Sequence, residues 1–379
     1  MQRPCYFLVC AGAALIACCY GFARFTYGLF APVFTETFGL TSTLAGVIGA
    51  GSYIGYCAAI TASLMLTDRI GARRVAVAAG VVATVGMSIV ALTPSNLVLA
   101  VGVLIAGCST GIASPPLAAA VAQFVTSAAE DRAQTVVNAG TGIGVVLSAP
   151  IALLLLGHWR LAWGVYAMVS AAVTIWVARA VPATSSQRGR VRLERPWRPG
   201  VLGLLAASFL MGIGSVAVWT FGRELITTVG GADATLSSLT WIVIGAAGIV
   251  GALAGDAVAR IGLRGAWVTA TVTMASATLL LAAAPSASVA VIVAAALFGG
   301  AYIGLTGLLL LWSVRVYPDS TAVGVGLSFF TIAAGQALGA PGVGALIDAV
   351  GATTAFVVFA LIGLSAVALR PAPAKEAIR

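Results

Sequence analysis

Apolar runs of about twenty residues, recurring along the whole chain and separated by short polar connections, decide what this sequence can fold into. A helix that crosses a bilayer needs about 20 mainly apolar residues. Read between charges and Pro/Gly/Ser clusters, the runs number twelve. They are Phe7–Phe30, Leu44–Leu66, Val75–Leu92, Leu97–Phe124, Ala133–Leu156, Leu161–Val181, Val201–Thr227, Leu239–Ala254, Ala266–Ala283, Val289–Val314, Thr321–Leu346 and Thr353–Leu369. Only 8% of the 379 residues are charged and 60% are apolar, whereas soluble domains carry about 25% charge. That balance excludes a water-soluble fold and predicts an all-α polytopic membrane protein.

Among the connections only 182–199 is long, and Arg188, Arg190, Arg192, Arg195 and Arg198 mark it as a solvated linker. The expected organisation is a six-helix bundle over 1–181, a cytoplasmic basic linker over 182–199 and a second six-helix bundle over 200–379. With the amino terminus inside, 17 of the 20 basic residues fall on the inner side, leaving Arg24, Arg160 and Arg223 to the outer half. Basic loops are retained in the cytoplasm, so both termini are expected there and the chain in the cytoplasmic (inner) membrane.

The two halves repeat. A shift of 191 residues lays Arg69-Ile70-Gly71 on Arg260-Ile261-Gly262, Gly144 on Gly335, and Ala149-Pro150 on Ala340-Pro341. One offset that matches distant landmarks marks a duplicated chain. Such repeats characterise secondary transporters, whose site lies between the repeats near the midplane.

Between the second and third runs, Leu64 to Arg74 reads Leu-Met-Leu-Thr-Asp-Arg-Ile-Gly-Ala-Arg-Arg. This resembles the cytoplasmic signature of the major facilitator superfamily, Gly-x-x-x-Asp-Arg-x-Gly-Arg-Arg. Asp68, Arg69, Gly71, Arg73 and the additional Arg74 fit; Leu64 and Ala72 depart from the pattern. The second copy keeps Gly255, Arg260, Gly262 and Arg264, with Asp256 nearby and Ala259 where the acid belongs. The resemblance implies twelve transmembrane helices arranged as two pseudo-symmetric six-helix bundles. It further implies that Asp68 holds the outward-open state, with Arg69, Gly71, Arg73, Arg74, Asp256, Arg260, Gly262 and Arg264 around it as a cytoplasmic gate. Physically, the unpaired amides and positive end of an eleventh helix starting near Ser320 and Thr321 would attract that carboxylate. Snorkelling charges that only set topology are the plainer alternative.

Gly140, Gly142, Gly144 and Pro150 in the fifth span, and Gly335, Gly339 and Pro341 in the eleventh, are expected to pack against each other at a rocking interface, because small residues admit close helix approach. The pattern is similar to the antiporter motif of drug exporters in the family, but Ala149 and Ala340 replace the glycine before proline. Gly21, Arg24, Phe25 and Tyr27 with Asn138 and Gly140 resemble a poorly characterised bacterial branch, which implies no particular substrate.

Several chemistries fall away. The charge of +9 is scattered between apolar runs rather than gathered on a nucleic-acid face. Lys375 sits in the terminal tail, away from any phosphate-cradling glycine loop. Gly107-Cys108-Ser109-Thr110-Gly111 has the hydrolase elbow spelling, but it lies mid-span and the chain's one histidine is His158; helix packing is expected there. No catalytic residue, metal site or cofactor is expected, and the six cysteines read as small buried thiols.

Charged groups inside a bilayer persist mostly where they work. Arg24, about 27 Å along the first helix from Tyr6, is expected in the outer half, sharing a face with Tyr20 and Tyr27. Trp219 stands one turn before Arg223. Two arginines facing each other across a cavity is one reading; snorkelling to outer headgroups is the other. Tyr27, Gln123, Asn138, Trp219, Tyr302 and Gln336 complete the candidate substrate-binding set. Glu224 and Glu36 are the carboxylates placed to carry a coupled proton. More cation than anion in the path favours an anionic or neutral polar solute.

The expectation is a monomeric secondary transporter that moves a small organic solute by rocker-switch alternating access, proton-linked in one mode. Its partners are a small-molecule substrate, the lipid bilayer and protons, with no nucleic acid. A drug or metabolite efflux antiporter of the same fold and a non-transporting solute sensor are the alternatives. The topology has a direct check: in cysteine-free protein, cysteines at Ser186 and Ala374 should react with impermeant thiol reagents only after membrane disruption, and one at Asp348 in intact cells. Labelling of Ser186 from outside would reverse the orientation.

Overall fold

The structure is a computed structural model that describes residues 3–155, 157–183, 197–251, 254–318, 321–369 and 371. Among these residues all regular structure is helical. Helix α1 runs through Arg3–Ile16, wider π-helical turns over Ala17–Phe25, and Thr26–Phe38. Helices α2 to α6 are Ser42–Ile70, Ala72–Leu92, Asn96–Phe124, Ser127–Leu154 and Trp159–Ala180. Helix α7 is Val201–Glu224 continued by Leu225–Val229, and α8 to α10 are Ala234–Val250, Ala254–Ala283 and Ser288–Val316. Helix α11 is Thr321–Val350, and α12 is Ala352–Leu364 with a last tight turn at Ser365–Ala368.

Local chemistry sets the helix starts. Thr41 accepts from the Leu44 amide at 3.2 Å, Ser95 from Val98 at 3.4 Å, and Asp233 from Leu236 at 2.7 Å, each satisfying an amide that the first turn leaves free. Between α2 and α3 the chain turns at Gly71 (φ 90°, ψ 152°), and at the position 191 residues later, Gly262 (φ 72°, ψ 162°), it does so again. Only glycine enters this region without cost. Within α9, residues 254–261 and 263–283 are therefore two helical segments that meet at Gly262. Among the described residues ten helices are long and apolar enough to cross a membrane, and the shorter Ala234–Ile249 and Ala352–Ala368 stand at the eighth and twelfth expected places.

Packing follows the duplication. Helix α1 packs on α5 as α7 packs on α11; α2 and α3 pack on α4 as α8 and α9 pack on α10; and α3 meets α6 as α9 meets α12. Contacts between the halves run through α2 with α11, α5 with α8, and α1 with α7.

The structure corrects several expectations. The first span extends two turns beyond Phe30 to Phe38, with Pro32 inside it; in lipid a helix is retained across proline because freed backbone finds no water. Glu36 lies in the last turn of that helix, and Asp348 lies in the last turn of α11. Gly140 and Gly144 do not face α11: they sit against the Ala13 and Ala17 carbonyls of α1, and Gly335 against that of Phe209 in α7. Gly339 likewise meets Ile213 and Val216 of α7. Gly144 and Gly335, symmetry mates under the 191-residue shift, hold equivalent seats in their own halves. Gly142, against the Gly245 carbonyl of α8, does lie between the halves. Of the six thiols, Cys18 and Cys19 are buried, Cys5, Cys57 and Cys108 half-buried and Cys10 exposed. Most of the linker (184–196) lies outside the described residues.

A Cβ at Gly144 would fall into the Ala17 carbonyl. Gly144→Val should thus cost about 1–3 kcal/mol, read as a lower unfolding midpoint in detergent. Gly164→Ala, where a Cβ meets nothing within 4 Å, should leave the midpoint unchanged or raise it.

Candidate substrate site and its closures

The wide turn of α1 delivers Arg24 to the middle of the bundle. Fourteen residues separate it from Phe38, and fourteen separate Gln336 from Val350, so both stand about 21 Å from the same end at 1.5 Å per residue. Arg24 is only 6% exposed, and its Nη2 donates to Gln336 Oε1 at 2.7 Å. Four rings surround the guanidinium, with centroids 4.8 Å (Tyr53), 4.9 Å (Tyr56), 5.4 Å (Phe25) and 5.8 Å (Tyr20) away. Headgroup snorkelling is thereby overturned: the longer α1 puts Arg24 at mid-depth.

Gln336 Nε2 in turn reaches Tyr302 Oη at 3.3 Å and Ser215 Oγ at 3.4 Å. Helices α1, α11, α10 and α7 are thus joined by one polar chain. Phe25 stacks on Trp219 across the halves at 4.1 Å, and Trp219 meets Tyr302 edge-on at 5.2 Å. Arg24 Nε and Trp219 Nε1 are buried without a hydrogen-bond partner, and no carboxylate among the described residues pairs with Arg24. Burying a guanidinium costs several kcal/mol. Desolvated cation–π contacts at about 2 kcal/mol and one charged hydrogen bond at about 1.5–3 kcal/mol offset it. The result is a centre rich in donors and short of negative charge.

The other candidates separate. Arg223 does not face Arg24: its Nη1 donates to the Leu29 carbonyl and its Nε to Ser237 Oγ at 3.2 Å, tying α7 to α1 and α8 nearer the Asp348 end. Tyr27 donates to the Ala45 carbonyl at 2.7 Å, joining α1 to α2. Asn138 and Gln123 are exposed on α5 and α4, and Glu36 is exposed at the end of α1. Glu224 is half-buried with Oε2 unpartnered. Of the expected gate, Asp68 and Arg73 are half-buried and Arg69, Arg74, Asp256, Arg260 and Arg264 exposed. Of its receiving end, Thr321 opens α11 and Ser320 lies outside the described residues. In the elbow-like segment Ser109 donates to the Ala106 carbonyl at 2.6 Å inside α4, as a packing residue does.

Sequence reasoning missed Tyr53, Tyr56, Ser215 and Asp348. Tyr53 and Tyr56, three apart on a helix of Gly and Ala, carried a readable signal. Asp348 carried none, since its acceptor role depends on a helix start 305 residues away: Oδ2 accepts from Thr43 N at 2.8 Å and Thr43 Oγ1 at 2.6 Å, and Oδ1 from Ser42 N at 3.0 Å.

Comparison with known proteins agrees with this architecture. A curated relative from Pseudomonas aeruginosa, named transcription regulatory protein OpdE, is 30% identical over 334 residues, covering 83% of this chain and 81% of its own. The purine ribonucleoside efflux pump NepI of Salmonella typhimurium is 24% identical over 66% of this chain and 64% of its own. Among solved structures, a point mutant of the nucleoside transporter NupG superposes with a TM-score of 0.78 at 12% identity, over 96% of this chain and 98% of that one. A bacterial homologue of the human lysosomal transporter Spinster, inward-facing and occupied, gives 0.78 at 13%, over 97% and 96%. The family description that matches residues 13–340 is that of transporters rather than enzymes. With this match spanning most of its length, the chain belongs to the Major Facilitator Superfamily.

Proposed function

We propose that the chain is a secondary transporter that carries a small anionic or neutral polar organic solute across the cytoplasmic membrane by rocking its two halves. The observation that carries this reading is the Arg24–Gln336 centre. It is a buried cation with an unused donor, held between the halves at mid-depth, where repeat-built carriers place their substrates. A solute carboxylate or phosphate there would supply the missing charge and accept from Arg24. The Asp68 end is the cytoplasmic one on the basic-residue count, with both termini there, and Asp68, Arg69, Arg73 and Arg74 close that mouth. Arg223 braces the opposite side. The neutral half of the reading draws on NupG and NepI, whose names give nucleosides as cargo. Glu224, with its orphan oxygen, is the group assigned to a coupled proton.

A second reading, a solute sensor that does not transport, is favoured by OpdE, which is named a transcription regulatory protein. Saturable flux into proteoliposomes separates the two, and binding without flux would select the sensor.

Screening organic anions and nucleosides by thermal shift supplies the probe, since a ligand that binds the folded state stabilises it. Arg24→Gln should weaken binding of an anionic probe at least about tenfold, and Arg24→Lys should restore only part, lacking the planar two-point grip. Wild-type affinity in both variants would sink the anion reading. For proton linkage, Glu224→Gln should abolish uptake driven by an imposed pH gradient while leaving exchange of labelled for unlabelled solute intact. A gradient response retained in that variant would remove Glu224 from the coupling.

A further inference from the structure

Helices α2 and α11 lie antiparallel along the boundary between the halves. Ser42 and Thr43 meet Asp348, Gly46 meets Ala340 and Pro341, and Cys57 meets the Phe330 carbonyl at 3.6 Å. Each end of the pair therefore brings the start of one helix beside the finish of the other. A helix start offers free amides and the positive end of the dipole. At this start Thr41 takes the Leu44 amide, and the amides of Ser42 and Thr43 are both taken by the Asp348 carboxylate of the opposite half. The contact is tight, because a Cβ at Gly344 would fall into the Ser42 carbonyl and one at Gly46 into that of Ala340.

We propose that Asp348 is a latch that shuts the outer mouth, a charge-to-helix-start clasp between the halves on the face opposite Asp68. It rests on the alternating-access reading above. Opening that mouth must pull α11 from α2 and give three hydrogen bonds to one carboxylate back to water, so the clasp weights the carrier toward states closed on the outside. Substrate entry from outside, or release to it, must break it in every cycle. Asp348 is thus a positioning residue for transport, acting through α2 rather than on the solute.

The test uses full-length cysteine-free protein with a single thiol at Thr220, which is 2% exposed in α7 beside Gly49 of α2. An impermeant maleimide is added from outside, and flux of the screened probe is measured in parallel. Asp348→Asn should speed labelling about three- to tenfold, the order expected for loss of a charge at a helix start. Asp348→Glu should stay near wild type. Thr43→Val, which keeps the carboxylate and removes the 2.6 Å bond, should accelerate labelling less, and it serves if the Asn variant folds poorly. Unchanged labelling in both Asp348→Asn and Thr43→Val, with flux intact, would overturn the latch and leave alternating access standing. A thiol at Thr220 that reacts from the cytoplasmic side alone would overturn the orientation on which both rest.

Discussion

Hydrocarbon offers no hydrogen-bond partner, and that constraint organises everything above it. Each backbone group must be satisfied within the chain, which makes the fold helical, carries α1 through Pro32 without a break, and requires buried polar side chains to find partners inside the bundle. Ser109, Thr110, Ser148 and Thr278 bond to carbonyls of their own helices. Arg24 has no such local outlet. Its charge is held only because α2 brings Tyr53 and Tyr56 to it and α11 brings Gln336, so the least soluble group of the bundle depends on both halves being in register.

That dependence connects stability to motion. A centre held by rings and one amide is less than fully compensated, and a group with unspent hydrogen-bonding capacity in a dry interior favours any ligand that completes it. The same helices that hold Arg24 also run to the mouths: α11 carries Gln336 at its middle and Asp348 at its end, and α2 carries Tyr53 and Tyr56 at its middle and Ser42 at its start. A rotation of one half that alters the Ser42–Asp348 contacts therefore alters the central ones as well, with no separate relay required.

The sequence disclosed the architecture because that architecture is written in local signals. Apolar length, basic loops and the repeated glycine turn are each properties of a few adjacent residues, and Gly71 and Gly262 confirm the 191-residue offset in their backbone angles. Arg24, Gln336, Tyr302 and Trp219 were legible as polar groups in apolar runs. Their partners were not. Whether Arg223 faces Arg24 or the Leu29 carbonyl depends on helix rotation, which no periodicity fixes when a helix is apolar on every side. The exposure of Asn138 and Gln123 likewise depends on rotation that the string does not carry. The seats of Gly144 and Gly335 went astray through another: equal motifs in two repeats look like mutual partners in a string, although rotational symmetry gives each the same place in its own half.

Symmetry also explains why chemistry gathers at Gln336. Under the 191-residue shift Arg24 corresponds to Ser215, and Gln336 bonds to both, accepting from one and donating to the other. Equivalent positions of α1 and α7 can meet a single side chain only close to the axis relating the halves, so the polar centre sits where that axis passes. Gln336 itself corresponds to Val145, and Gly28 corresponds to the Trp219 whose carbonyl it packs against. The duplicated scaffold has kept the Gly71 and Gly262 turn and the close-packed pairs Gly21 with Gly212 and Gly144 with Gly335, while at the axis the copies have diverged into a cation, a hydroxyl and an amide. An axis through two identical halves could carry only matched groups; divergence there has placed a charged group on one side of Gln336 and a neutral hydroxyl on the other.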